Sequence, residues 1–236
     1  MSELISARLR RRNRTLGSGP LITYYDLDSG ERTELSGVTF GNWVDKTANL
    51  LVDEFMLDPG DRVELAVAET HHGHWVSLVW ELACWQIGAT VTLGQPSSAR
   101  LVVCGPDWTP YAAIDDLVAC SLHPLGLGFG EPLPSGVVDY SLEVRAQPDS
   151  FAAVPQSGLA LAWLDGERQL TQADLVEGGS DTGERRLVRV TDPWSTVQAA
   201  LLQPLLTDGS AVVVAGDAAP VRLARLADAE RARYVP

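Results

Sequence analysis

Residues 74–87 are apolar on almost every side when they are placed on a helix, and this segment limits the fold more than any other feature. A helix that is apolar all round has to be covered on every side by other elements. Gly88 follows directly, and glycine suits the left-handed position that ends a helix. The sequence therefore predicts a buried helix, with Trp75, Trp80 and Trp85 in the core rather than in an aromatic ligand box.

Short apolar segments alternate with helical ones along the rest of the chain. Strands are predicted at 63–68, 89–93, 101–104, 137–144, 159–164, 186–190 and 210–215, after a hairpin at 21–35. Helices are predicted at 40–55 (with Thr39 as N-cap), 74–87, 112–119, 172–177, 194–206 and 220–232, and a flexible loop at 178–183. Alternation of this kind is typical of an α/β fold with a mostly parallel sheet flanked by helices.

The net charge of −13 makes nucleic-acid binding unfavourable, because an acidic surface repels phosphate backbones. The one basic cluster lies within residues 1–20: Arg8, Arg10, Arg11, Arg12 and Arg14. We interpret this segment as a solvated basic arm in front of a domain at 21–236, with a docking site for an acidic partner or an anionic lipid surface as the alternative.

The location of the protein is predicted from what its sequence lacks. It contains no apolar run long enough to span a membrane and no apolar stretch behind its N-terminal arginines. Cys84, Cys104 and Cys120 are odd in number and show no C-x-x-C spacing, so we expect reduced thiols. These features indicate a cytoplasmic protein.

Several short motifs resemble those of adenylate-forming (AMP-binding) enzymes, the superfamily that includes acyl-CoA synthetases. They are Thr39-Phe40-Gly41-Asn42-Trp43, Asp58-Pro59-Gly60-Asp61-Arg62-Val63, Trp80-Glu81-Leu82-Ala83 through Gly88-Ala89, and Pro204-Leu205-Leu206-Thr207-Asp208-Gly209. More narrowly, Thr23-Tyr24-Tyr25-Asp26, Glu34-Leu35-Ser36 and residues 42–49 resemble an actinobacterial family of short AMP-binding-like proteins. The resemblance implies a truncated N-terminal part of such an enzyme.

The resemblance also implies ATP chemistry, but the residues for it are missing. Related enzymes surround the phosphates with a Ser/Thr/Gly-rich loop that ends in Pro-Lys-Gly. The aligned stretch here, residues 154–163, keeps only Ser157 and Gly158 as a degenerate remnant. Lys46 is the only lysine, and the family's later motifs and C-terminal domain would lie beyond residue 236. We therefore expect no adenylation, no cofactor and no catalytic residues of that kind.

His71, His72 and His74 follow a predicted strand, at the edge where open α/β sheets often bind ligands. Together with Glu69 they are candidate metal ligands. Adjacent histidines point apart, however, and no distant ligand pattern is visible. We favour polar residues at the start of a helix over a metal site, and assign no role to His123.

Three functions stay open at this stage. The first is a non-catalytic module that associates with itself or with another protein. The second is a binding protein for a small apolar acyl or aryl acid, without ATP chemistry. The third is an enzyme, either completed by a partner or using unrelated chemistry.

Overall fold

The computed structural model describes residues 3–152, 155–178 and 183–234. The helices are α1 (Ile5–Leu16), α2 (Gly37–Asp53), α3 (Ala66–Thr70), α4 (Trp75–Ile87), α5 (Tyr140–Ala146), α6 (Pro193–Val197), α7 (Gln203–Thr207) and α8 (Pro220–Ala229). A π-helical turn, Gln198–Leu202, joins α6 to α7. None of the helices described is both long and apolar enough to cross a membrane.

The strands form two sheets. They are β1 (Pro20–Asp26), β2 (Glu31–Ser36), β3 (Arg62–Leu65), β4 (Thr90–Thr92), β5 (Leu101–Cys104), β6 (Leu117–Ala119), β7 (Val137–Asp139), β8 (Leu161–Leu164), β9 (Gln169–Thr171), β10 (Arg185–Arg189) and β11 (Ser210–Ala215). The first sheet has the order β10-β11-β1-β2 and the second β7-β6-β5-β3-β4-β8-β9. Among the strands that the structure describes, only the β1–β2 and β8–β9 pairs are antiparallel. The predicted α/β fold with mostly parallel strands is confirmed.

Helix α4 lies at the centre of the main core, as its apolar sequence predicts. All thirteen of its residues are buried, and it packs against α2, α1, β3 and β4. The His74 side chain caps its first turn, and Gly88 ends it with a left-handed φ of 82°. Helix α2 in turn contacts β1 and β2, so the central helices connect the two sheets. Helix α8 covers a smaller apolar cluster on the first sheet.

The basic N-terminal segment is a packed helix rather than a solvated arm. Ile5 and Leu9, spaced one turn apart, are buried on the inner side of α1. Arg12, which is 4% exposed, donates hydrogen bonds to the carbonyl oxygens of Gly209 and Pro20. This part of the expectation is wrong, because the apolar spacing of α1 outweighs the solvation of its arginines. The division of the chain at residue 20 stays a prediction.

Two predicted helices, one predicted cap and the second halves of two predicted strands are also wrong. The strands predicted at 63–68 and 137–144 end at Leu65 and Asp139, where α3 and α5 follow directly. Residues 112–119 contain β6, because Leu117–Ala119 pairs in parallel with β5. Residues 172–177 contain only a 3₁₀ turn, Asp174–Val176, behind β9. Helix α2 begins at Gly37, and its cap is Ser36, whose side chain accepts from the Thr39 N–H. Most of the loop predicted at 178–183 lies outside the described residues.

Candidate functional site

A cleft of about 540 Å³ opens where the chain leaves the carboxyl ends of several parallel strands. We call it the histidine cleft. Asp26 ends β1, and the loops after β5 and β6 supply the opposite wall. It is lined by Tyr24, Asp26, Ser29, Glu31, His71, His74, Pro106, Ser121, Leu122, His123, Pro124, Gly128, Phe129 and Gly130. Carboxyl ends of parallel strands are the usual place for ligands in such folds.

His74 is the most buried polar side chain of the cleft, at 3% exposure. Its Nδ1 accepts a hydrogen bond from the Val76 N–H at 3.2 Å. Burial lowers its pKa to about 3, so the ring is neutral at neutral pH. The proton is therefore on Nε2, which is buried 3.9 Å from Glu31 Oε1. A backbone hydrogen bond with Leu122 opposes the lowering of the His74 pKa. The His74 ring is thus a neutral, buried part of the cleft wall.

Two carboxylates face the same cleft. Burial raises the pKa of Glu31, although a hydrogen bond from Thr33 Oγ1 to Oε1 opposes that shift. Burial also acts on Asp26, but hydrogen bonds from the Ser29 hydroxyl and from the N–H groups of Asp28 and Ser29 outweigh it and lower the pKa. No lysine or arginine is among the residues that line the cleft. The electrostatic field of the cleft therefore disfavours the binding of anions.

The three histidines proposed as metal ligands do not act as one group. His71 and His74 line the histidine cleft, whereas His72 contacts the carbonyl oxygens of Glu69 and Thr191 at 3.1 and 2.8 Å. Burial lowers the pKa of His71, whose Nδ1 lies 2.9 Å from Thr70 Oγ1. No group of three or more potential metal ligands occurs among the residues at 3–152, 155–178 and 183–234.

Sequence reasoning did not identify Asp26, Glu31 and His123 as parts of this site. His123 lines the cleft, and its Nδ1 accepts from the Leu125 N–H. One signal in the sequence is that Asp26 lies near the end of the first predicted strand. His71 and His74 also come after a predicted strand, so all three residues are expected at the same edge. The hairpin turn after that strand then brings Glu31 back to the same edge.

Ser157 and Gly158 lie in a turn before the amino end of β8, at the opposite edge of the sheet. The Ser157 hydroxyl accepts from the Leu159 N–H, and the Gly158 carbonyl accepts from the Ala173 N–H. Val154 of the same stretch lies outside the described residues. The structure therefore brings Ser157 and Gly158 together with each other but not with the histidine cleft.

The segment that follows the carboxyl end of β8 is a turn at residues 165–168. Asp165 Oδ1 accepts from the N–H groups of Glu167 and Arg168 at 2.8 and 2.7 Å. Asp165 Oδ2 accepts from Trp163 Nε1 at 2.8 Å and from the Arg168 guanidinium at 3.2 Å. Burial opposes ionisation of Asp165, but these hydrogen bonds prevail and lower its pKa. The Asp165 carboxylate therefore already accepts hydrogen bonds from the backbone N–H groups of this turn.

The Asp165 turn borders a second cleft, of about 640 Å³. Its charged lining residues are Glu69, Asp165, Glu167, Asp192 and a single cation, Arg168. Burial raises the pKa of Glu69. Four carboxyl groups against one guanidinium make this cleft a poor environment for a polyphosphate.

Solved acyl-CoA synthetases share this fold. The crystal structure of an acyl-CoA synthetase from Brucella canis superposes with a TM-score of 0.75 at 18% identity, covering 98% of this chain and 46% of the synthetase. The N-terminal domain of FACL13 from Mycobacterium tuberculosis gives a TM-score of 0.70 at 14% identity, covering 98% and 62%. The chain thus spans roughly half the length of these structures. The predicted resemblance is confirmed at the level of the fold.

No family model matches the chain. Its sequence is, however, 32% identical over 232 residues to the TIGR03089 family protein of Mycobacterium tuberculosis (strain ATCC 25618 / H37Rv). That alignment covers 92% of this chain and 91% of the relative, so the similarity extends over both chains almost end to end. The chain belongs to the TIGR03089 family.

Proposed function

We propose that this protein is a non-adenylating member of its fold, which acts by binding and does not activate an acid with ATP. The observation that carries the proposal is the Asp165 turn. The Asp165 turn follows the carboxyl end of β8, the edge where such folds usually bind ligands, and a phosphate loop there would need free backbone N–H groups that point at oxygen atoms. Here the N–H groups of Glu167 and Arg168 are bound to the Asp165 carboxylate. A phosphate would have to displace a carboxylate that accepts four hydrogen bonds.

The only lysine supports the same interpretation. Lys46 Nζ donates to the carbonyl oxygens of Gln147 and Arg145 and lies 3.0 Å from an Asp149 carboxylate oxygen. These contacts hold the ammonium group where α2 meets the segment after α5. It is therefore committed to structure rather than to a phosphate.

Isolated protein is expected to show no saturable binding of magnesium–ATP tighter than ~1 mM by titration calorimetry. It should also release no pyrophosphate from ATP in the presence of fatty or aromatic acids. An intact acyl-CoA synthetase, measured in the same buffers, serves as the positive control. Tight nucleotide binding by this chain would refute the proposal, whatever the role of the histidine cleft.

The proposed mode of action is association with a protein, in the simplest case a second copy of this chain. Leu125 and Leu142 are 76% and 59% exposed, and Leu127 is also exposed. Leu125 lies in a loop that is joined to α5 by a hydrogen bond from Arg145 to the Gly126 carbonyl. Strand β7, directly before α5, is an outer strand of the second sheet. An apolar surface beside an unpaired strand edge favours association.

A Leu125→Lys, Leu142→Lys double variant is expected to sediment as a monomer under conditions in which the natural chain is a dimer or larger. Charged side chains on this surface would have to lose water when two copies meet. Val221→Lys, a change at an equally exposed position on α8, is the control and should keep the natural assembly. A natural chain that stays monomeric at all concentrations would contradict self-association.

A small acyl or aryl acid is the second candidate partner. The histidine cleft, with its volume and partly apolar lining, favours a small-molecule site. Asp26 and Glu31 at its wall count against an acid as the occupant.

A further inference from the structure

We propose that the groove between α1 and α2 is a docking site for an acidic segment of another protein. This α1–α2 groove has a volume of about 260 Å³ and is lined by Leu9, Arg10, Asn13, Arg14, Val38, Gly41, Asn42, Asp45 and Gln86. The inference goes beyond the proposed function, because it names a second surface and the chemistry of its partner. Neither Leu125 nor Leu142, the exposed leucines of the first surface, lines the groove.

The first step is that the arginines of α1 are held in place. A solvated arm would present them in no fixed arrangement, whereas Ile5 and Leu9 bury one side of this helix. Arg12 adds buried hydrogen bonds to backbone carbonyl oxygens on the same side. Asn13 Nδ2 donates to the Gly37 carbonyl at 2.8 Å and so joins α1 to the start of α2. The outward arginines therefore lie on a rigid surface, which lowers the entropy cost of docking.

The second step is that two of the outward arginines have no acidic partner. Glu3 Oε2 lies 3.4 Å from the Arg8 guanidinium and 2.7 Å from that of Arg11, so it pairs with both. Arg10 and Arg14 are exposed and form no ion pair within the described part of the chain. Both of these unpaired arginines line the α1–α2 groove.

The acid in the lining of the groove is already engaged by a neighbouring side chain. Asp45 Oδ1 accepts from Gln86 Nε2 at 2.7 Å, and Gln86 Oε1 accepts from Arg10 Nη1 at 3.3 Å. Burial raises the pKa of Asp45, although the Gln86 hydrogen bond and the charge of Arg10 oppose that shift. The guanidinium groups of Arg10 and Arg14 keep further N–H donors for an incoming carboxylate.

The third step is the contrast in charge between α1 and the rest of the molecule. Residues 1–20 carry five arginines and one glutamate, a net charge of +4. The remaining 216 residues carry 13 basic and 30 acidic side chains, a net charge of −17. Most of the molecule therefore repels an acidic segment, and the surface of α1 attracts it. This difference directs such a partner to the α1–α2 groove.

The spacing of the two unpaired arginines suits an extended segment. Arg10 and Arg14 are one helical turn apart, about 6 Å along the axis. Alternate residues of an extended chain are about 6.6 Å apart, so carboxylates at every second position match this spacing. Asn42 is exposed in the lining and offers an amide donor and acceptor to the backbone of the segment. Val38, which is 47% exposed, adds an apolar contact.

An anionic membrane surface fits these charges less well than a peptide does. The apolar side of α1 is buried in the core, so it is not available to enter the lipid boundary. A bilayer would also meet the acidic remainder of the molecule, which an anionic surface repels. A single peptide segment needs to contact only the groove.

The test measures binding of a rhodamine-labelled peptide, acetyl-Glu-Ser-Glu-Ser-Glu-Ser-Glu, to the full chain by fluorescence anisotropy. Saturable binding is expected in 50 mM NaCl, and it should weaken at least about threefold in 300 mM NaCl because salt screens exposed charges. The same peptide with glutamine in place of glutamate should bind at least about tenfold more weakly. Vesicles that contain phosphatidylserine should not bind the protein in a sedimentation assay.

Two double variants locate the effect. Arg10→Glu, Arg14→Glu should weaken binding of the acidic peptide at least about tenfold, because two attractive charges become repulsive. Arg222→Glu, Arg225→Glu changes the net charge of the chain equally at exposed positions of α8, and its affinity should stay within about twofold of the natural chain.

Three results would overturn the proposal. The first is that the natural chain binds the acidic peptide no more tightly than the glutamine peptide. The second is that the two double variants bind it equally. The third is that the natural chain binds the vesicles and not the peptide. The first and third criteria apply to the natural chain, whatever the stability of the variants.

These outcomes are separable from those of the proposed function. Magnesium–ATP binding would refute the non-adenylating role and leave the docking site standing. The Leu125→Lys, Leu142→Lys double variant should bind the acidic peptide like the natural chain, whatever its state of assembly. Failure of peptide binding would overturn the docking site alone, because self-association is measured by sedimentation.

Discussion

At about pH 8, replacing Glu81 by glutamine is expected to raise the free energy of unfolding above that of the natural chain, whereas at about pH 4 the two proteins should be nearly equal. Glu81 is 1% exposed on the central helix α4, and its Oε2 has no hydrogen-bond partner. Burial raises its pKa well above the ordinary 4.5. The folded protein therefore holds this proton at pH values where the unfolded chain has released it.

The sign of the pH dependence follows from that difference. Below the unfolded pKa of 4.5 both states are protonated, and the side chain behaves much like glutamine. Above it, the unfolded state gains stability by ionising while the folded state does not. The natural chain then loses up to about 1.4 kcal/mol per pH unit relative to Glu81→Gln, until the folded pKa is reached.

Urea unfolding of both proteins across this pH range measures the effect. Glu131→Gln, a change of the same chemistry at an exposed loop position, should follow the natural chain at every pH. Titrations of histidines cancel in the comparison, because both proteins contain all four. A difference between Glu81→Gln and the natural chain that is constant with pH would show that Glu81 does not stay protonated in the fold.

The sequence predicted the elements whose signal is local. Helix α4 was recognisable because burial on all sides leaves an apolar surface all round, and β5 and β11 because each is a short apolar run between polar turns. Strand β6 was missed because three residues are too few for a periodic pattern, and its pairing with β5 is a tertiary contact. Helix α1 was misread because five arginines concealed the spacing of Ile5 and Leu9.

The site was less accessible from the sequence than the fold. The sequence places three histidines after β3, but it does not show that His72 points away from His71 and His74, because that depends on distant partners such as the Thr191 carbonyl. The approach of His74 to Glu31 brings the residue that caps α4 next to the first residue of β2, which lies far from it in the sequence. Likewise, the Asp165 side chain bends back onto the N–H groups of Glu167 and Arg168. This depends on its side-chain conformation, which the sequence of residues 165–168 does not reveal.

Replacing Arg12 by alanine is expected to lower the free energy of unfolding by about 3 kcal/mol. The guanidinium donates from Nε and one terminal nitrogen to the Gly209 carbonyl, at 3.1 and 2.9 Å, and to the Pro20 carbonyl at 3.2 Å. It thereby joins α1 to the turn after α7 and to the start of β1. For a chain of this length the loss corresponds to a fall in Tm of about 6–12 °C.

Burial works against this stabilisation, since it lowers the pKa of Arg12 and leaves one terminal nitrogen without a partner. Two further variants decide which effect prevails. Arg12→Met fills most of the space but leaves both carbonyl oxygens without the guanidinium, so it should retain at least half of the alanine loss. Arg14→Ala, on an exposed position of the same helix, should change stability by less than about 0.5 kcal/mol. If Arg12→Met is as stable as the natural chain, the hydrogen bonds contribute nothing beyond the desolvation they offset, and α1 is held by its apolar side alone.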